Sequence, residues 1–182
     1  MPTEHEYKYV LALDTDEEYF RENCKNHFAI RQGYLASSKG MTCRVRSLRD
    51  GSSVKWFLTF KQKVDNRVIE IEQRLDDRDG KDLWSVTKCV SRLKKERYVL
   101  EHDGIDWEVD FFRAGSDRYF VLAEVELTEG SPRIALPKFI HKFLLHEVDL
   151  TDDRFGNKKL ADVEHASNMY KQIVQGGTGN ES

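Results

Sequence analysis

The sequence has little of what usually announces a chemistry. Its three cysteines, Cys24, Cys43 and Cys89, are odd in number and scattered through 182 residues. Without paired or metal-ligand spacing they imply reduced thiols, with no disulfide framework and no thiolate metal site. No apolar run approaches the roughly 18 residues that cross a bilayer, and no basic-then-apolar leader opens the chain, so neither a membrane span nor export is expected. A cytoplasmic location is the corresponding expectation. A glycine-rich phosphate loop, a Cys/His metal cluster and a nucleophile elbow are all missing. The six histidines are dispersed. An excess of one sign of charge is also missing: Lys and Arg number 29, Asp and Glu 32, for a net charge of -3. That balance argues against a simple nucleic-acid binder, which carries a basic bias, and against an acidic disordered chain.

What is present is charge in quantity, 34% of residues against 39% hydrophobic. Nearly balanced charge at that density suggests pairing within the protein or with a mixed-charge ligand. The length suits one domain, assigned to residues 1–175, with a disordered tail over 176–182.

Periodicity predicts a first strand over 4–12 and a helix in DTDEEYFRENCKNH, opened by Asp14 or Thr15. Strands follow at AIRQGYLAS, MTCRVRSL, VKWFLTFKQK and RVIEIEQRL, with turn signals at Asp50-Gly51 and Asp65-Asn66. A helix is expected after Asp79-Gly80, with Leu83, Trp84, Val86 and Val90 inward. A hairpin turns around His102-Asp103-Gly104, and another strand lies in GSDRYFVLAEVEL. Residues 131–147 read as irregular or helical, and 157–175 as one helix with Leu160, Val163, Ala166, Met169 and Ile173 on one face. About eight strands, mostly in hairpins, make an antiparallel α+β fold. A set of this size tends to close into a barrel, because closure removes exposed edges.

The alternation within these strands carries the functional argument. Glu4, Glu6 and Lys8 share a face, as do Arg44 and Arg46; Glu70, Glu72 and Arg74; Lys95 and Arg97; Glu108 and Asp110; and Glu124 and Glu126. Lys61 follows Thr59 and Phe57. The alternate positions are apolar, among them Tyr7, Tyr9, Ile69, Ile71, Trp107, Val109, Phe111 and Val125. Seven such strands are expected to pack their apolar sides outward against helices and to turn their charges into a barrel interior. A lumen lined by acids and bases is reasonable when wet and holding ions. Its natural ligand is a polyanion bridged by divalent cations, with Arg and Lys on phosphate oxygens and carboxylates on Mg²⁺ or Mn²⁺. In a closed barrel Glu4 and Glu6 would lie near Glu124 and Glu126.

These residues resemble the triphosphate tunnel metalloenzyme, or CYTH, family. EHEYK at 4–8 fits its ExExK signature. IRQGYL, RVR, LTFK, EIE, KER, WEVDFF, LAEVEL and RFGNKKLA follow in the family's order to residue 161. The resemblance implies a closed eight-stranded tunnel with flanking helices and metal-dependent chemistry on triphosphates, most similar to compact bacterial inorganic triphosphatases. Adenylate cyclase, thiamine or nucleoside triphosphatase and non-catalytic polyphosphate binding are the alternatives. It implies triphosphate contacts from Lys8, Arg44, Arg46, Lys61, Lys95, Arg97 and Lys158. It implies Mg²⁺ or Mn²⁺ on Glu4, Glu6, Glu124 and Glu126, with Asp110 a weaker ligand. Glu70, Glu72 and Arg97 are the expected catalytic groups, the first two as water-orienting carboxylates. Trp56 and Trp107 could serve as aromatic platforms but sit at core positions. Phe155 stands where the family often has tyrosine, and HEVDLTDDRF is longer than usual. A small-molecule triphosphate is the expected partner, with no nucleic acid or membrane and room for a homodimer.

Overall fold

A computed structural model of the chain describes residues 4–38, 40–64, 67–87, 92–128 and 134–177. The Asp65-Asn66 turn, Cys89 and Val90 lie outside the described residues, as does the tail from 178 onward. Two compact units divide the chain, Met1–His27 with Glu96–Ser182, and Phe28–Lys95. The boundaries fall within strands. No helix among the described residues is long and apolar enough to cross a membrane.

The first unit contains β1 (Glu4–Leu11), α1 (Glu17–Asn23), most of β6 (Arg92–His102), β7 (Ile105–Ala114), β8 (Asp117–Thr128), α3 (Lys138–His141), β9 (Leu144–Glu147), a 3-10 turn (Asp153–Phe155), α4 (Asn157–Leu160) and α5 (Val163–Gly177). Its strands run in the order β6-β7-β8-β1-β9. The expected β6–β7 turn forms with Asp103 and Gly104 both at positive φ, the conformation that matches strand twist in a tight hairpin. One face of these strands is a core: Tyr9, Leu11, Tyr98, Trp107, Val109, Phe111, Val121 and Val125 pack with Phe20 of α1 and Ile140 of α3. The alternate face carries the charges together with buried Val10, Val99, Phe112, Phe120 and Leu122.

The second unit contains most of β2 (Asn26–Ser38), then β3 (Met41–Asp50), β4 (Ser53–Val64), β5 (Arg67–Leu75) and α2 (Asp77–Val86), in strand order β5-β4-β3-β2. Gly80 lies inside α2, whose N-cap is Asp76, and not before the helix. A Cβ at Gly80 would fall 2.2 Å from Trp56 Cγ, so the bare backbone is what lets the helix settle on that indole.

Both units are antiparallel strands with flanking helices, the α+β class the periodicity predicts. Among the described residues, the strand order in neither unit returns to its first strand. Four local expectations fail. β2 starts at Asn26, so the first helix is shorter, and His27 stacks on Tyr98 at 4.6 Å. β9 forms inside the stretch read as irregular or helical, and pairs with β1. The C-terminal helix breaks into α4 and α5, and Val163 of the expected apolar face is exposed. Val86, Ile69 and Ile71 are exposed rather than packed.

Candidate functional site

The alternation places charge on one face in each unit, and the two faces differ in kind. In the first unit, strand register sets Lys8 opposite Glu124, Glu6 opposite Glu126 and Glu4 opposite Thr128. On the other side of β8, Glu108 is opposite Glu124. Residues directly opposite share a face. Lys8 Nζ donates to Glu124 Oε1 at 2.5 Å and also to Glu6. Burial acts to lower the Lys8 pKa, but Glu124 and Glu6 outweigh it and hold the ammonium above its ordinary range.

Arg97 is the hub beside it. Its Nε and Nη2 donate to the two Asp110 oxygens at 2.7 and 2.6 Å, and Nη2 also reaches Glu124 Oε2 at 3.1 Å. Nη1 pairs with Glu108. The Asp110 side chain has 0% exposure and Glu124 4%. Burial opposes the guanidinium's charge, and Asp110, Glu108 and Glu124 more than offset it. Glu108, given a face but no role by the sequence pattern, thus joins this cluster. Asp110, expected as a weaker metal ligand, has both oxygens on Arg97.

In the second unit three rows cross β3, β4 and β5: Arg46–Phe57–Arg74, Arg44–Thr59–Glu72 and Thr42–Lys61–Glu70. Ion pairs run along and between rows. Lys61 meets Glu70 at 2.8 Å, Arg44 approaches Glu70 at 3.8 Å and Arg46 meets Glu72 at 3.0 Å. Arg44 Nε is out of solvent with no hydrogen-bond partner among the described residues. Tyr34 beside it is pushed up to about 12 by burial, against the pull of Arg44, and stays a neutral hydroxyl. Lys61 is 47% exposed and Glu70 40%.

Other expected residues are placed separately. Lys95 is buried at 3% on β6. Lys158 is exposed on α4. Phe155 is buried and packs on Phe120. Both candidate aromatic platforms are core. Trp107 is fully buried beside Tyr9, and Trp56 is buried with Nε1 donating to Asp77 Oδ1 at 3.1 Å.

A hard divalent cation suits the donor set in kind, since every candidate ligand is a carboxylate. The first unit's face carries Glu6, Glu108, Asp110, Glu124 and Glu126 against Lys8 and Arg97, leaving an acidic excess. Lys8 itself bridges Glu6 and Glu124, and among the described residues no three acidic, His or Cys side chains are grouped to share one ion.

No protein-family model matches the chain. It is 27% identical over 147 residues to a protein named inorganic triphosphatase from Acetivibrio thermocellus, spanning 80% of this chain and 84% of that one. Among solved structures, the inorganic triphosphatase NE1496 is similar at a TM-score of 0.58 and 28% identity, over 86% of this chain and 96% of its own. A candidate adenylate cyclase from Bacillus halodurans is similar at a TM-score of 0.50 and 14% identity, over 100% of this chain and 92% of its own, which is a likeness of fold.

Proposed function

We propose that this chain, a member of the triphosphate tunnel metalloenzyme family, hydrolyses inorganic triphosphate to pyrophosphate and phosphate. The observation that carries this is the pair of charged strand faces, one with a carboxylate excess around Lys8 and Arg97, the other built on Arg44, Arg46 and Lys61. The similarity to two inorganic triphosphatases supports the same substrate. The closed eight-stranded tunnel belongs to this proposal on the strength of the resemblance.

Phosphoryl transfer needs positioning and charge neutralisation more than covalent chemistry. Arg44, Arg46 and Lys61 are assigned to phosphate oxygens, with Lys95 and Lys158 as further contacts. Glu4, Glu6, Glu124 and Glu126 are assigned to Mg²⁺ or Mn²⁺, which when bound would neutralise charge on the phosphate oxygens. Lys8 supplies a cation that its carboxylate neighbours keep protonated. Arg97 fixes the carboxylates around it. Asp110, with no exposure, is assigned to holding Arg97. Glu70, half-exposed, is the candidate to orient the attacking water.

The test is phosphate release from inorganic triphosphate with Mg²⁺, Mn²⁺ or EDTA. Release is expected with either metal and lost in EDTA; release that persists unchanged in EDTA sinks the metal assignment. Incubation with ATP is the companion assay, and cyclic AMP as its main product would replace hydrolase by cyclase. Glu126→Gln should lose most activity while staying folded.

A further inference from the structure

Thr59 occupies the middle of the second unit's charged face, between Arg44 on β3 and Glu72 on β5. It is 1% exposed although Lys61 and Glu70 in the next row are half-exposed. Its Oγ1 donates to Glu72 Oε2 at 2.9 Å. The same oxygen accepts from Arg46 Nη2 at 3.0 Å, and Oε1 lies 3.3 Å from that nitrogen. The Arg46 guanidinium stands 5.5 Å from the Phe57 ring centroid. A glutamate on an open strand face has several rotamers, each aiming an arginine differently. A hydroxyl fixed in the strand wall selects one of them.

We infer that Thr59 is a positioning residue: through Glu72 it holds the Arg46 guanidinium oriented before substrate arrives. This rests on Arg46 being a phosphate contact. An oriented guanidinium loses less freedom on binding, so the benefit falls on substrate affinity. Glu72 is thereby assigned to Arg46 and not to the attacking water.

The experiment uses the full chain and inorganic triphosphate. Thr59→Val keeps the shape and removes the hydroxyl. Its KM should rise about fivefold or more with kcat within about twofold, the pattern of lost uniform binding. Thr59→Ser should restore the parent KM, which a packing role would not predict. Should Thr59→Val not fold, Thr59→Ala lacks the same hydroxyl and carries the same expectation. A raised KM for Arg46→Gln beside an unchanged KM for the Thr59 variants overturns the role of Thr59 alone. An unchanged KM for Arg46→Gln overturns the phosphate contact beneath it. A fall in kcat at constant KM in Thr59→Val would place Glu72 at the reacting water instead.

Discussion

The two charged faces arise from one sequence pattern and differ in the cluster at their centre. In the first unit the charges around Arg97 are sunk, with Asp110 at 0% exposure, Glu124 at 4% and Arg97 bonded to three carboxylates, while Glu6 and Glu108 are 45% and 39% exposed. In the second, Lys61 and Glu70 are half-exposed, Arg44 and Arg46 are 18% and 21% exposed, and the balance tilts basic. A buried charge that loses its partner costs several kcal/mol, whereas an exposed pair contributes at most about 1 kcal/mol. Charge in the first unit therefore couples stability to chemistry. The Lys61–Glu70 pair of the second can be exchanged at little cost to the fold, leaving it available to a ligand.

The sharpest way to break that contrast is Arg97→Ala. It strands Asp110 and Glu124 without their guanidinium and should destabilise the protein by about 3–5 kcal/mol, lowering the melting temperature by roughly 10 °C. Arg97→Lys should recover only part of this, since an ammonium cannot reproduce the two-point bond to Asp110. A melting temperature unchanged in Arg97→Ala would show that the first face is no more structural than the second.

Glu17 sharpens the comparison from within the first unit. It lies away from the charged face, accepting from Arg113, from Arg118 at 2.6 Å and from the Tyr98 hydroxyl at 3.0 Å. Burial pushes its pKa up, but Arg118, Arg113 and Tyr98 outweigh that and leave it below the usual carboxylate range. A lowered folded pKa contributes stability above the unfolded value of about 4.3 and loses it as pH falls through the folded value. Glu17→Gln should cost about 2–3 kcal/mol at pH 7 with KM unchanged. Thermal melts should show the gap to the parent narrowing below about pH 4. A gap that stays constant on acidification would mean Glu17 acts by packing alone.

How much of this was legible depends on what period two can encode. It separates faces, so the burial of Tyr9, Trp107, Val109, Phe111 and Val125 follows directly from alternation. It says nothing of depth, so the pattern could not tell the sunk face from the open one. Nor does it supply partners: Arg97 and Asp110 meet because a hairpin folds between them, and Glu17 finds Arg113 and Arg118 from strands about a hundred residues later. Glu17 stands in the first turn of α1, where the helix dipole alone accounts for an acid. Gly80 looked like a turn because the feature requiring it, the Trp56 indole, is contributed by another strand. Ile69 and Ile71 keep the strand period but are exposed.

The second unit is tightly packed at Gly80, and Gly80→Ala tests whether its tolerance of change ends there. The added methyl would fall on Trp56 Cγ, and overpacking of this kind costs about 1–3 kcal/mol. A melt no lower than the parent's would mean α2 can shift off the indole.

The smallest expected effect on stability comes from the most exposed cation on that face. Lys61→Met removes one partner of a solvent-facing pair and should change stability by less than about 0.5 kcal/mol. Its effect should appear in salt dependence. Raising ionic strength from about 0.1 to 1 M shortens the screening length from roughly 10 to 3 Å, which weakens exposed charges far more than buried ones. For the parent, KM for inorganic triphosphate should rise steeply over that range while the melting temperature, set by the sunk cluster, moves little. Lys61→Met should flatten the rise in KM. If the melting temperature instead tracks salt as strongly as KM, the first unit's charges are not shielded by burial, and the division between a face for stability and a face for binding does not hold.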